Sequence, residues 1–501
     1  MRYISCGQGK WSFLVERETG FVRELHYAGE RVASAIYCAV RGADWSTYPV
    51  AISDLQWGDS WCSWQTRAVG APFAWRTEAR VDGSSFQMSI DGTASETFQT
   101  CRTGLCLLHP LSVCGLEATV THVDGSQERS VFPRLVAPHQ PFLEMAGLRY
   151  RAASGAEVDI QLEGEVFETE DQRNWSDASF KTYCHRLGDG KPYTLQAGQR
   201  VRQQIRIRCT GEAQGTPSER VWQAPLPALS VWLDSATEQA LSNLKQMGVR
   251  RVAIEDLKAL PLLAQVGIAV DLRLSAEQVE QTLPMPPPAS GSTLWLVSDK
   301  WTLEVEALVQ QVEAEWKPLG WELGYGSSAN FAELNRSRPP QGRFDWLATA
   351  ASPQVHTFDA WSILQNAESF ASIGETMRAM DGEARLGVAP LRFESRFTGE
   401  DPRADSPLAV AYLIRSLASM AQGGFARVVT GRASYLLRED SSVGALLRDL
   451  ERLQAHAVQC TVRNGVERVQ FLGAQGSALY LVNPSPEERE GVAPFSSRRE
   501  E

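Results

Sequence analysis

The sequence predicts a multidomain α/β plus β protein: an N-terminal antiparallel β-sandwich, a central (β/α)8 TIM-like barrel and a short C-terminal β-region. Three observations predict it. Residues 1 to about 210 alternate polar and apolar side chains with period two between Gly, Asp and Asn turns. Eight strand-like runs then alternate with helical patterns. Between the two regimes lies a segment rich in Gly, Pro, Ser and charge, GEAQGTPSERVWQAPLP, at 211–227. The expected boundaries are 1–215 for the sandwich, 226–456 for the barrel, 457–486 for the C-terminal β-region and 487–501 for a disordered tail.

A chain of 501 residues exceeds what one hydrophobic core ordinarily organises, so several domains are expected on length alone. In the first region the alternation is clear in SSFQMSIDGTAS, GLEATVTHVDGS, EVDIQLEGEVFE and VRQQIRIRCTG. The group Trp45, Trp57, Trp61, Trp64 and Trp75 reads as sandwich core ahead of a sugar-stacking platform. The eight barrel strands are ALSVWL (228–233), RRVAIE (250–255), GIAVDLRL (267–274), TLWLVS (293–298), WELGYG (321–326), DWLATA (345–350), RLGVAP (385–390) and ARVVTG (426–431). Helix signals stand between them. Ser235 with Glu238 and Ser275 with Gln278 have capping-box spacing. Val305, Leu308, Val309, Val312 and Trp316 form an apolar stripe, and Ser406 with Pro407 opens a helix that Gly423 and Gly424 close. The second unit is short for a full crossover helix. After the last helix, AVQCTV, VERVQFLGA and SALYLVN read as strands too few to stand alone, expected to pack on the barrel or the sandwich.

Composition excludes several classes of function. The net charge of −11, without clustered Lys and Arg, argues against a nucleic-acid partner. No run is long and apolar enough for a membrane span, and the N-terminus MRYISCGQGKW lacks the regions of a signal peptide, so a cytoplasmic location is expected. Nine scattered cysteines without a C-x2-C pair read as reduced, buried thiols. No nucleotide, cofactor or metal motif is present, and the expected partner is a small molecule. The oligomeric state is not legible.

Barrel active sites lie where strands end at their C-terminal side. The fifth strand runs into Asn330, Glu333, Asn335 and Arg336; the sixth into Gln354, His356 and Asp359; the seventh into Arg392, Glu394 and Arg396. Arg392 and Glu394, close together on an extended segment, are expected to face opposite ways, with at most one directed into a pocket. Upstream, Asp171, Arg173, Asn174, Asp177 and Lys181 make a dense polar stretch. It is either a network that locks the sandwich against the barrel or a wall of the site.

Three segments carry a resemblance. FETEDQRNWSDASFKTY (167–183), FAELNR (331–336) and PQVHTFD (353–359) are similar to D-apionate lactonases, and the β-domain, barrel and β-region layout resembles that family over nearly the full chain. The resemblance implies hydrolysis of a sugar lactone, D-apionolactone to D-apionate or a close aldonolactone. Relative to the family, the first four barrel units look abbreviated and the C-terminal β-region short.

Residue roles follow from the chemistry of ester opening. A base must receive the proton of the attacking water, a donor or cation must hold the oxyanion, and an acid must protonate the leaving alkoxide. Glu333 or His356 suits the base, Arg392 the oxyanion, and Asp359 the group that orients His356. Asn330, Asn335, Arg336, Glu394, Asp171, Arg173 and Asn174 suit substrate hydroxyls or the pocket wall. Each has a structural alternative. Glu333 at a helix start favours the helix dipole or pairs with Arg336, His356 fits a satisfied core, and Asp359 fits a helix cap. Whether a divalent ion joins Glu333, His356 and Asp359 is not settled by spacing. Two rival functions remain: a glycoside hydrolase using Glu333 and Glu394, and a non-catalytic carbohydrate-binding protein. Against the first, no Asn-Glu dipeptide ends a strand, because Asn330 stands three residues before Glu333.

Overall fold

The structure, a computed structural model, describes residues 2–211, 221–395, 399–463 and 465–500. Most of the predicted boundary segment at 211–227 lies outside them, as does Arg396. The chain forms two compact units, one of Met1–Gln172 with Ser179–Pro217, the other of Arg173–Ala178 with Ser218–Glu501.

The first unit holds an antiparallel sheet of 16 strands and a small two-stranded sheet of Phe98–Thr100 with Tyr193–Leu195. Its period-two pattern is literal in Phe73–Asp82, where every second side chain is buried. That strand pairs with Ser85–Ala94 through a two-residue loop opened by Gly83 at φ +59, the backbone a tight hairpin demands. The sheet turns back on itself around one core. Gly7 N donates to Asp59 O (2.6 Å) near the far end of the strand order, and Phe13 meets Phe86 edge to face at 5.2 Å. Of the tryptophan group, Trp64 and Trp75 are core, Trp45 is half-buried, and Trp57 and Trp61 are exposed.

The second unit holds a closed parallel barrel of eight strands, all eight at the predicted places. They are β1 (Ala228–Trp232), β2 (Arg251–Ile254), β3 (Ala269–Ser275), β4 (Thr293–Val297), β5 (Glu322–Gly326), β6 (Trp346–Ala351), β7 (Arg385–Leu391) and β8 (Phe425–Arg432). Helix α1 (Glu238–Gln246) is capped by Thr237, two residues beyond the predicted Ser235. The tight second crossover is made by a single 3-10 turn and a seven-residue helix, α2 (Leu260–Val266). Ser275 and Gln278 form the predicted capping box of α3 (Ala276–Glu280). The apolar stripe of α4 (Leu303–Glu315) is buried. The remaining helices are α5 (Phe331–Arg336), α6 (Ala360–Asn366), α7 (Ser369–Met380), α8 (Pro407–Gln422), α9 (Ala433–Leu436) and α10 (Ser442–Leu453), with α8 capped by Ser406 as predicted.

Inside the barrel, Trp295 and Trp346 pack with Ala253, Ala348, Ala389 and Val429. Gly324 makes room for the indole, since a Cβ there would lie 2.4 Å from Trp295. At the strands' N-terminal ends, the buried Asp271 accepts from Arg251 (3.3 Å), Trp295 Nε1 (3.2 Å) and Arg427 (2.5 Å). This end of a barrel serves stability and leaves the opposite rim for chemistry.

The C-terminal β-region departs from prediction at both edges. It is a five-stranded sheet of Val221–Pro225, Ala455–Arg463, Val466–Gly473, Gly476–Asn483 and Ser496–Glu500, packed on α8 and α10. The first strand comes from the expected linker and the last from the expected disordered tail. Both are edge strands held by main-chain ladders rather than deep burial; the last, SSRRE, is polar, while the first, VWQAP, is mostly apolar with Val221 exposed. Arg499 adds an ion pair to Asp449 (2.8 Å), and Arg415 of α8 grips Glu467 (2.6 Å).

Candidate active site at the barrel mouth

Glu333, His356 and Arg392 follow the C-terminal ends of β5, β6 and β7, so topology places all three on one rim. Their surroundings then separate them.

After β5 the chain turns into α5 at Asn330. The Glu333 carboxylate reaches back to accept from Asn330 N at 2.9 Å, closing a capping box. Burial pushes this carboxyl above its ordinary range, despite those helix-start hydrogen bonds. Asn335 is buried, donating to Asn174 Oδ1 (3.0 Å) and accepting from Arg338 (2.7 Å). Arg336 lies over the Trp175 ring at 5.4 Å.

After β6, the orienting role expected of Asp359 belongs to Asp177. His356 Nδ1 pairs with Asp177 Oδ2, while Asp359 caps α6 by accepting from Ser362 N (2.9 Å). Asp177 also accepts from Asn366 Nδ2 (2.8 Å), and Asn366 Oδ1 accepts from Ala178 N (3.2 Å). Ser369 Oγ donates to Ser176 O (3.0 Å). The six residues 173–178 thus belong to the second unit and are bonded to its α5, α6 and α7 region. Arg173 and Asn174, offered above as substrate contacts, are buried, as is Asp171 of the first unit, which accepts from Ala137 N (2.9 Å). Asp171 and Asn174 thus hold backbone and a neighbouring side chain.

After β7 lies an open cavity of about 310 Å3, lined by Trp232, Glu255, Arg392, Glu394, Arg432 and Tyr435 among others. Arg392 Nε pairs with Glu394 Oε1 at 3.1 Å. The expected opposition of these two residues is incorrect: positions two apart on an extended chain share a face, and both line the cavity. Glu255 and Arg432 also line it, and their side chains have no hydrogen bond or ion pair among the described residues. Beside Trp232, at 5.8 Å from its ring, stands the buried Arg273, whose Nη1 donates to Ala389 O (2.7 Å). Burial lowers that guanidinium to about 10, against the opposing pull of the Glu255 charge. Trp232, Glu255, Arg273 and Arg432 were missed because only the ends of the fifth, sixth and seventh strands were searched. The same strand-end rule applied to β1, β2 and β8 finds three of them. Among the described residues, no group of three or more His, Cys, Asp or Glu is arranged to hold a metal ion.

An eight-stranded parallel barrel with ionisable groups lining a cavity past its strand ends, preceded by an antiparallel β-unit, defines a barrel enzyme with an accessory β-domain. Residues 2–212 match the D-apionate lactonase N-terminal domain, and residues 301–435 match the D-apionate lactonase TIM barrel domain. The chain belongs to the D-apionate lactonase family, whose members are lactone-opening hydrolases. A curated D-apionate lactonase of Brucella anthropi is 28% identical, covering 74% of this chain and 70% of that protein.

Solved structures align more loosely. A putative aldose 1-epimerase of Escherichia coli aligns with 42% of this chain and 98% of its own at 11% identity and TM-score 0.31. The GH36 alpha-galactosidase AgaB of Geobacillus stearothermophilus aligns with 100% and 98% at 9% identity and TM-score 0.31. A rhamnosyl-glucuronidase of Fusarium oxysporum aligns with 52% and 79% at 9% identity and TM-score 0.34.

Proposed function

We propose that this chain hydrolyses D-apionolactone, or a close aldonolactone, to its acid in the cavity at the barrel mouth. One observation carries the reading: a guanidinium fixed by a carboxylate, Arg392 with Glu394, shares that cavity with a carboxylate, Glu255, that has no ion pair among the described residues. Its volume lies within the range of small-ligand pockets, about 300–1,000 Å3.

In this reading Arg392 binds the lactone carbonyl oxygen and takes up the negative charge that develops there when water attacks. Glu394 holds the guanidinium in place. Glu255 receives the proton of the attacking water and returns it to the ring oxygen as the acyl C–O bond breaks, leaving a hydroxyl and a carboxylic acid that ionises in solvent. Glu333 and His356, the earlier candidates for the base, support the rim through the capping box and the Asp177 pair. The partner is then a free small molecule, with neither nucleic acid nor membrane, in keeping with the net charge of −11 and the cytoplasmic location read from the sequence.

Proton release from a panel of aldonolactones, D-apionolactone included, measures the substrate directly. For Glu255→Gln we expect kcat to fall roughly 100-fold or more at little-changed KM. Turnover within a few-fold of the parent would remove Glu255 from the chemistry. A second reading, glycoside hydrolysis, has in its favour that Glu255 and Glu394 line one cavity. Release of nitrophenol from aryl glycosides, without lactone opening, would establish it.

A further inference from the structure

The charges at the barrel mouth do not balance. Among the described residues that line the cavity, the ionisable side chains besides Tyr435 are Glu255, Arg392, Glu394 and Arg432. Arg392 and Glu394 neutralise each other, which leaves Glu255 and Arg432. Arg273 adds a further cation. In the register Ile254 of β2 lies beside Leu272 of β3, so Glu255 leaves its strand next to Arg273. The Arg273 side chain spans the barrel to Ala389 O on β7 and is 3% exposed, with Trp232 and Pro390 of the cavity wall adjoining it.

No carboxylate is bonded to Arg273 among the described residues, and its Nε is buried without a partner. Asp271, two residues earlier, is already shared by Arg251 and Arg427. Burial lowers Arg273 only to about 10, so it stays charged near neutral pH. The cavity and its floor therefore hold three guanidiniums against two carboxylates. Glu255 answers one of the two cations left over. The other awaits an anion that the chain does not supply. The lactone is neutral, whereas its opened product carries the missing negative charge.

Placement decides which cation meets that charge. Trp232 of β1 stands opposite Arg432 of β8 on one side and Ala253 of β2 on the other, with Glu255 two residues beyond Ala253. Across this wall the order is cation, indole, carboxylate. Opening the ring frees rotation about the bond that carries the new carboxylate, and Glu255 repels it. Given lactone opening in this cavity, as proposed above, we infer that Arg432 binds the carboxylate of the opened product, so that the acid is held more tightly than the lactone and inhibits competitively. The guanidinium offers paired N–H donors to the carboxylate, and the Trp232 ring offers an apolar face to the carbon chain between them. Turnover then slows as the acid accumulates, until a reaction that consumes a free sugar acid relieves it.

Steady-state opening of D-apionolactone with added D-apionate tests this, with the uncharged primary amide of the same acid as a control. We expect competitive inhibition with Ki below the KM of the lactone, and inhibition by the amide weaker by about tenfold or more. Arg432 is exposed, so its substitution spares the core. Arg432→Met should raise Ki by about tenfold to a hundredfold while KM changes by less than about threefold, and Arg432→Lys should recover part of the loss. Added salt should raise Ki far more than KM. Calorimetric titration with D-apionate reads the same affinities without turnover. A parent that opens no lactone yet binds D-apionate through Arg432 would overturn the lactonase reading while supporting the anion seat. Turnover with Ki well above KM, equal inhibition by acid and amide, or Ki unmoved in Arg432→Met would overturn the seat alone. A strong preference for D-glucarolactone, which bears its own carboxylate, would assign the surplus cation to the substrate and overturn it too.

Discussion

Glu333 shows how one residue type at a rim can carry two opposite readings. A carboxylate just past a barrel strand suits catalysis, and the same carboxylate three residues after an N-cap suits a capping box. The structure supplies the second partner, Asn330 N, and burial raises the carboxyl. Glutamine retains the box, so Glu333→Gln should leave lactone turnover close to the parent, and Glu333→Ala should cost about 0.3–1.5 kcal/mol. The pH dependence has a definite sign. A carboxyl raised in the folded state adds stability that is fully present below its unfolded value and lost as pH rises through the folded one. Melts of parent and Glu333→Gln from the ordinary glutamate range upward should therefore show the parent losing ground to the variant. A hundredfold loss of turnover in Glu333→Gln would restore it as the base. At this scale the sequence located polar groups correctly and could not assign partners, because Asp177 and His356 are 179 positions apart.

Among elements, the segment 173–178 depends on a few buried bonds. Asp177 receives both His356 Nδ1 and Asn366 Nδ2, and all three side chains are shielded from solvent. Removing the shared acceptor takes a buried partner from both, although Asn366 Nδ2 keeps Pro353 O (2.9 Å), so Asp177→Ala should destabilise the second unit by about 3–5 kcal/mol. Denaturant melts measure this, and a loss below about 1 kcal/mol would mean the pair is not shielded as described. The barrel strands were legible because each is a short apolar run between turn signals. The strands 221–225 and 496–500 were not: the first pairs with Ala455–Arg463, more than two hundred residues on, and the second, SSRRE, has the side chains of a solvated edge.

At the scale of the molecule, all nine cysteines are free thiols, and eight are buried. Burial raises Cys62, Cys209 and Cys460 to about 12, which keeps them protonated and unreactive near neutral pH. Adding reductant should leave the Tm unchanged, whereas a fall of several degrees would reveal a disulfide that the structure does not contain. The two-part layout was legible from the change of period near residue 210. The cavity chemistry was only half legible, since Arg392 and Glu394 were named but Glu255 was counted inside a strand.

The pairing of Val221–Pro225 with Ala455–Arg463 has a consequence for the order in which the molecule is made. Synthesis delivers the first of these strands more than two hundred residues before its partner, and β1 likewise waits for β8. Residues 173–178 wait for Asn335, His356 and Asn366. On the ribosome the antiparallel unit can complete most of its local hairpins early, while the second unit gains its closing contacts only when the last strands emerge. Shortened chains ending before Ala455 would then leave Val221–Pro225 without its partner, and those ending before Phe425 would leave the barrel unclasped as well, features that recruit quality-control proteases and aggregation.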